Sequence, residues 1–311
     1  MADVSTLKLP TPPKSAIVVS YSEIDTYRQC PLKHQLSYKE RWRSDNKVGG
    51  ALDRGTRWHQ ILEAHYRTLM EAQKPEGAGW NVADFELTAR IAERLKPLLY
   101  NPQSGEFVDE TAELLLWMYQ GHLETWGFDP HWRILAVELG PVVPLLTPAG
   151  KRTRFWLKTK IDLVVQDREL GNHVWVVDHK SGKDLPRRKS LDIDDQFGLY
   201  TLALRRAGKK VFGQTYSAAR TQRNKSHMPL DTRFGRYRLY REDTELAAIE
   251  ADAVAAMTAA YGRGVAYSSP NTDSCTWKCD FLEPHIAARK TGRPIQELLP
   301  GYGLEQSFVR H

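Results

Sequence analysis

Two carboxylates and one ammonium stand out in this chain for the chemistry their spacing allows. Asp178 and Lys180 close the apolar run Val-Trp-Val-Val-Asp-His-Lys-Ser-Gly (174–182), and Asp162 lies within Lys-Ile-Asp-Leu-Val-Val (160–165). In a strand, residues two apart project from the same face, so Asp178 and Lys180 converge while His179 turns the other way. If the two runs are antiparallel neighbours, a strand spacing of about 5 Å sets Asp162 beside Asp178. Carboxylates held that close repel at neutral pH, and a divalent cation relieves the repulsion. Oxygen ligands shared with a substrate phosphate suit magnesium or manganese. Such an ion polarises a phosphodiester and lowers the pKa of a nearby water. Lys180 beside it would position the attacking water and stabilise charge growing on the phosphoryl oxygens. An Asp-x-Lys tripeptide alone is more often a surface ion pair, so the weight falls on the elements that surround it.

Those elements follow from periodicity. A helix is expected from about Ser22 to Cys30, capped by Ser20 or Ser22 and stopped by Pro31. Three more follow, over about Gly55–Ala72, Val82–Leu99 and Glu110–Trp126, each with apolar residues at helical spacing. Near Trp132 the pattern changes. Residues 133–146 and 152–167 read as two strands joined by a turn at Thr-Pro-Ala-Gly-Lys, and 174–182 as a third strand. A helix over about Asp194–Ala207, strands near Val211–Ala218 and Arg236–Arg241, and a helix over about Asp243–Tyr261 complete the pattern. Helices, antiparallel strands, a crossover helix and a further strand make an α/β fold, a mixed central sheet flanked by helices. The division expected along the chain is a flexible N-terminus (1–18), an N-terminal helical part (19–130), a core carrying the acids (131–240), and a C-terminal helix with a cysteine-bearing tail (241–311). Residues 19–285 are expected to form one structural unit.

Composition narrows the partners. Of 311 residues, 41% are hydrophobic and 26% charged, as in ordinary globular proteins. No apolar run is long enough to span a bilayer or serve as a signal peptide, so a cytoplasmic protein without membrane attachment is expected. The net charge of +6 suits a polyanionic partner and equally a merely basic protein. Two short basic segments follow expected strands: Asp184–Ser190, with Arg187, Arg188 and Lys189, and Ala219–His227, with Arg220, Arg223 and Lys225. At sheet ends they could bind a phosphate backbone without reading sequence, or simply be solvated loops. Trp42, Trp58, Trp80 and Trp277 could stack on bases, although burial in a core is the commoner fate of tryptophan. The three cysteines, Cys30, Cys275 and Cys279, are too few for a secreted disulfide framework, and a close pair points to metal or redox chemistry.

Five segments in order carry a resemblance. They are Tyr21–Pro31 (Tyr-Ser-Glu-Ile-Asp-Thr-Tyr-Arg-Gln-Cys-Pro), Gly55-Thr-Arg-Trp-His59, Ile161-Asp162, Asp178-His-Lys-Ser-Gly182 and Gln196-Phe-Gly-Leu-Tyr200. Over about residues 20–285 the chain resembles the PD-(D/E)XK nuclease superfamily. More narrowly it resembles the RecB-like branch, which includes CRISPR-associated adaptation exonucleases, the AddB nuclease domain and phage recombination exonucleases. It departs at Ser181, where threonine is usual, and at Thr159, where glycine often precedes the Ile-Asp pair. Neither departure removes a ligand.

The resemblance implies a metal-dependent DNA exonuclease, bacterial or phage, in replication, repair or recombination, with DNA as partner and a recombinase or single-strand annealing protein as a further one. It makes Asp162, Asp178, Lys180, Gln196 and Tyr200 catalytic. It makes His59, Asp162, Asp178 and the backbone carbonyl of His179 ligands of Mg2+ or Mn2+. Glu138, in Ala-Val-Glu-Leu-Gly, is similar to an acidic position ahead of the catalytic hairpin in relatives and is given little weight. Glu63, one turn after His59 on the same helix face, either orients His59 or, as is commoner, is a solvated helix charge. Relatives hold a four-iron, four-sulfur cluster with one cysteine near the N-terminus and three near the C-terminus. Cys30, Cys275 and Cys279 match three of these, and the fourth place falls on His285. That set suits an iron–sulfur cluster, zinc or no metal. Rival expectations are a DNA-binding or scaffold protein with a vestigial site, and a nuclease acting on RNA.

Overall fold

The structure is a computed structural model that describes residues 10–44, 51–75, 79–223, 228–262, 264 and 266–307. In chain order its elements are β1 (Ile17–Ser20), α1 (Tyr21–Gln29), α2 (Pro31–His34), β2 (Trp42–Ser44), α3 (Ala51–Ala72), α4 (Asp84–Leu99), α5 (Glu110–Trp126), β3 (Trp132–Leu139), β4 (Val142–Leu146), β5 (Arg152–Lys158), β6 (Ile161–Asp167), β7 (His173–Gly182), α6 (Arg188–Asp192), α7 (Asp195–Arg206), β8 (Gly213–Arg220), β9 (Phe234–Leu239), α8 (Asp243–Ala260), α9 (Thr272–Lys278), α10 (Leu282–Thr291), α11 (Ile295–Leu298) and β10 (Leu304–Gln306). They fall into two compact units. One is drawn from Met1–Thr11, Gly49–Val143 and Lys158–Leu246, the other from Pro12–Val48, Pro144–Leu157 and Ala247–His311. The units interleave along the chain, where the expected division was linear. The N-terminus expected to be flexible over 1–18 lies outside the described residues up to residue 9, and its last two residues, Ile17 and Val18, belong to β1.

The first unit is built on a five-stranded mixed sheet of order β3-β6-β7-β8-β9. β3, β6 and β7 run antiparallel in turn, β7 and β8 are parallel, and β9 returns antiparallel to β8. A parallel pair needs a crossover, and α7 supplies it; Asp194 caps that helix by accepting from the Gln196 N–H at 2.9 Å. The sheet is covered on both faces. Leu163, Val165, Trp175 and Val177 pack against Trp58, Ile61, Leu62, Tyr66 and Leu69 of α3 and against the apolar faces of α4 and α5. The alternate residues Val164 and Val176 pack with Ile161 against Tyr200 and Leu204 of α7. Period-2 alternation thus sorts β7 into two faces. Val174, Val176, Asp178 and Lys180 share the α7 side, and Trp175, Val177 and His179 the α3 side.

The second unit carries a three-stranded sheet, β1-β5-β4, and a two-stranded one, β10-β2. α1 starts at Ser20, whose hydroxyl accepts from the Glu23 N–H at 3.2 Å, and it ends where Cys30 turns extended before Pro31. Glu23 is buried. It accepts hydrogen bonds from His34 at 3.0 Å and from the Tyr261 phenol at 2.7 Å. A small core of Leu36, Phe281, Ile295, Leu299 and Leu304 holds the C-terminal helices.

The two long strands expected over 133–146 and 152–167 are four. The breaks come at Gly140-Pro141 and at Thr159-Lys160. Pro141 has no N–H for a ladder, Glu138 takes a left-handed backbone (φ 55), and the Thr159 N–H closes the corner on the Pro141 carbonyl at 3.1 Å. β3 and β6 therefore join the five-stranded sheet while β4 and β5 join the three-stranded one. Among the described residues no helix is long and apolar enough to cross a membrane.

Candidate active site

Asp162, Asp178 and Lys180 meet at one end of the five-stranded sheet. The β6–β7 register pairs Leu163 with Val177; carried one step further, it sets Asp162 opposite Asp178. The Asp162 carboxylate is pinned from two sides. Its Oδ2 accepts from the His179 peptide N–H at 2.7 Å, and its Oδ1 lies 3.2 Å from His59 Nδ1 of α3. Asp178 is buried, and its Oδ2 lies 2.7 Å from the Lys180 ammonium. On α7 the Gln196 amide donates to the Tyr200 phenol at 2.6 Å, so the i, i+4 pair does share one helix face.

Glu138 joins this group with more force than its sequence context suggested. One ligand atom each from His59, Glu138 and Asp162 lie within 4.8 Å of one another, a spacing that a single metal ion could bridge. The left-handed backbone at Glu138 is costly for a residue with a Cβ, by about 1–3 kcal/mol, and such outliers gather at functional sites. Its carboxylate is paired with Lys160 at 2.7 Å. Sequence reasoning passed over Lys160, although it stands two residues before Asp162, the spacing that matches Asp178 and Lys180. The signal for Glu138 was an acid inside an otherwise apolar strand.

Burial alone would depress His59, but the hydrogen bond to Asp162 and the charges of Asp162 and Asp178 hold it above its ordinary pKa. Burial pushes Asp162 up, and His59 and His179 outweigh that and bring it below the usual carboxylate range. Asp178 goes the other way. Burial and the neighbouring Asp162 lift it to about 6 although Lys180 pulls it down. Burial would lower Lys180, but Asp178 prevails and keeps the ammonium firmly protonated. Burial also raises Glu138, and Lys160 only partly offsets this. Oxygen-rich donors with one imidazole, largely desolvated, fit a hard divalent ion.

The profile of the PD-(D/E)XK nuclease superfamily matches residues 18–283. The chain belongs to that superfamily. Its mixed sheet flanked by helices is the fold of the PD-(D/E)XK nucleases, enzymes that use divalent metals on nucleic acids. Two solved structures are similar at low identity. One is the crystal structure of SSO0001, with 11% identity over 86% of this chain and 84% of that one and a TM-score of 0.37. The other is that of a protein named Putative exonuclease from Eubacterium rectale, with 13% identity over 85% of this chain and 88% of that one and a TM-score of 0.40. No curated protein matches.

Of the basic residues of this PD-(D/E)XK chain, Arg187, Arg188, Lys189 and Arg223 are exposed and Arg220 is half-buried. Arg187, Arg188 and Lys189 lie on the surface at the start of α6, and Arg188 pairs with Asp192 at 3.3 Å. Arg220, whose register partner is Gly182 at the end of β7, pairs with Asp184 at 3.0 Å. Arg223 pairs with Glu113 at 2.9 Å. Lys225 lies outside the described residues. Trp58 is core, only 1% exposed; Trp80 packs beside that core, and Trp42 beside the small core of the second unit. The side chain of Trp277 lies outside the description.

Away from these acids, in the second unit, Cys30, Cys275, Cys279 and His285 line one cavity with Leu36 and Phe281. The thiols are free. Cys30 Sγ accepts only at 3.5 Å, from the Lys33 and Ser269 N–H groups, and Cys275 Sγ at 3.3 Å from that of Asn271. Burial raises Cys279, and the nearby Cys275 and Cys30 raise it further. Three thiols and an imidazole thus share one cavity, although among the described residues no three of their ligand atoms come within 4.8 Å of one another.

Proposed function

We propose that the chain is a divalent-metal-dependent deoxyribonuclease, an exonuclease of the RecB-like branch that hydrolyses DNA phosphodiesters in replication, repair or recombination. One observation carries the reading: His59, Glu138 and Asp162 converge within 4.8 Å beside the buried Asp178–Lys180 pair. His59, Glu138, Asp162 and Asp178, with the His179 carbonyl, are the residues that would hold Mg2+ or Mn2+. When bound, the ion supplies Lewis acidity toward the scissile phosphate. Lys180, raised by Asp178, keeps its proton. It therefore acts as a hydrogen-bond donor to the attacking water and the phosphoryl oxygens, not as a base. Gln196 orients the Tyr200 phenol toward that ammonium. Water attacks phosphorus, the bridging P–O bond breaks, and the proton the water loses passes through solvent to the leaving oxygen, giving a terminal phosphate and a free hydroxyl. Arg187, Arg188, Lys189, Arg220, Arg223 and Lys225 contact the backbone without reading bases. Neutralising any one of these side chains should reduce the salt slope of binding by about one.

The test is digestion of labelled linear and circular, single- and double-stranded DNA, and of RNA, with Mn2+. Linear DNA is degraded by the wild type. Asp178→Asn and Lys180→Ala still bind it and cut roughly 10²–10³-fold more slowly, the usual cost of removing one transition-state interaction. Full activity in either variant overturns the mechanism; degradation of RNA alone overturns the substrate. Cys30, Cys275, Cys279 and His285 we assign to a second centre, a four-iron, four-sulfur cluster or zinc. Protein prepared without oxygen should then contain iron and sulfide, or one zinc, per chain. Preparations free of all three remove the assignment.

A further inference from the structure

His179 sits between the two residues the chemistry needs, yet its ring points away from them. The imidazole is 2% exposed, and neither ring nitrogen has a hydrogen-bond partner. Leaving buried polar atoms unpaired costs about 1–3 kcal/mol each, so a functionless position would more cheaply carry an apolar side chain. The ring is held by one contact of defined geometry, a parallel stack on Tyr66 of α3 with centroids 5.3 Å apart and planes 12° apart.

Tyr66 is itself tethered. Its hydroxyl donates to Asp129 Oδ2 at 2.8 Å and accepts from Arg236 Nη2 at 3.2 Å. Arg236 of β9 binds Asp129 through both guanidinium nitrogens, one of them at 2.9 Å. The guanidinium lies between the Trp126 and Trp132 rings, at 4.2 and 4.0 Å from their centroids. Asp129 holds a left-handed backbone, φ 50, to make these contacts. An ion pair removed from water gives little net stability over an apolar replacement. What this one supplies is a fixed position and plane for the Tyr66 ring. From that ring the constraint runs through the stacked imidazole to the His179 peptide, whose N–H grips Asp162 at 2.7 Å.

We infer that Tyr66, Asp129 and Arg236 are positioning residues for the metal site. They set the His179 peptide from behind the sheet, and with it the carboxylate of Asp162. This rests on the reading that His59, Glu138 and Asp162 hold a divalent ion, and the experiment separates the two. Mn2+ binding is measured by calorimetry, without DNA, on the wild type, Tyr66→Phe, Tyr66→Leu and Leu95→Ala, a control on α4 in the same apolar core. All are held well below their unfolding temperatures. Outer partners of ligands typically change metal affinity 10–100-fold. Tyr66→Phe, which keeps the ring and cuts the tether, should weaken Mn2+ about 10-fold. Tyr66→Leu, which also removes the stack, should weaken it more, and Leu95→Ala should lower Tm without changing Kd. A wild type that binds no Mn2+ overturns the reading of the site. A wild type that binds, with Tyr66→Phe within twofold of it, overturns the positioning role. Equal losses in Tyr66→Phe and Leu95→Ala overturn it as well, since general loosening then accounts for both. If Tyr66→Leu does not fold, Tyr66→Phe decides alone.

Discussion

The two candidate metal sites are built on opposite principles. In the first unit the donors stand on regular elements, α3, β3, β6 and β7, and each is fixed by register or helix packing. Every acid there already has a partner: the His59 imidazole for Asp162, and the ammonium groups of Lys160 and Lys180 for Glu138 and Asp178. In the second unit the donors sit in or beside short helices, and the Cys30 and Cys275 thiols accept from backbone N–H groups at 3.3–3.5 Å. Five buried apolar side chains make up the core around them. A site whose charges are balanced internally stands without its ion, whereas thiols around a small core depend on what bridges them. Function should therefore depend on the ion in one unit, and a modest part of the stability on the centre in the other.

Chelation gives the largest contrast. EDTA should abolish cleavage of linear DNA while shifting the main unfolding transition of the first unit by no more than a few degrees, and added Mn2+ should restore activity. Collapse of the first unit on mild chelation would show that its acids are not balanced by His59, Lys160 and Lys180, and the comparison would fail.

Acid probes the same unit from its interior. Burial lowers His65 to about 4 and drives His122 well below its ordinary value, so both are neutral in the fold. The unfolded chain takes up protons near pH 6.5, and the folded chain refuses them until far lower. Stability from these groups is thus fully present above pH 6.5 and is lost as the pH falls toward 4. Each tenfold drop in proton affinity is worth about 1.4 kcal/mol, so His65 alone accounts for about 3 kcal/mol. Urea unfolding at pH 7.5 and pH 5 should show the fall, and His65→Leu should flatten it. An unchanged slope in that variant would mean that His65 is already solvated or charged.

Glu138 sharpens the account of the first site. Glu138→Gln keeps the size of the side chain but removes one anionic donor and frees Lys160. Mn2+ affinity should fall about 10–100-fold, the range seen when support for a metal ligand is removed. Calorimetry reads this without DNA, and an unaltered affinity would exclude Glu138 from the ligand set.

Legibility in the sequence followed the same divide. Alternation alone put Asp178 and Lys180 on one face and His179 on the other, because a strand repeats every two residues wherever it lies. The i, i+4 pairing of Gln196 with Tyr200 was equally local. Glu138 was undervalued because its approach to His59 and Asp162 depends on a left-handed residue and a corner at Pro141, and neither has a period to read. The same corner hid the split of each long strand between two sheets. The partners of His179 were out of reach for another reason. Tyr66, Asp129 and Arg236 come from a helix, a loop and an edge strand far apart in the chain, and only packing unites them. In the second unit Cys30 and the Cys275–Cys279 pair were visible as residues, but the cavity they share joins segments about 240 positions apart in the chain.

The smallest effect tests whether the second site is one object. If Cys30 and Cys279 hold the same centre, replacing either with serine releases it, and the second replacement has nothing further to remove. Cys30→Ser and Cys279→Ser should each cost about 1–2 kcal/mol, or a few degrees in Tm for a chain of this size. The double variant should cost no more than the worse single one. Independent thiols merely packed in a tail would instead add, within about 0.5 kcal/mol, as uncoupled sites do. Serine is smaller and more polar than cysteine, so a packing loss appears in either case, and only the coupling between the two replacements separates the alternatives. Cleavage supplies the cross-check: with Mn2+ saturating, both single variants should retain most of the wild-type rate below their Tm. Rates that fall as far as in Asp178→Asn would mean that the thiols serve the chemistry directly and not the fold.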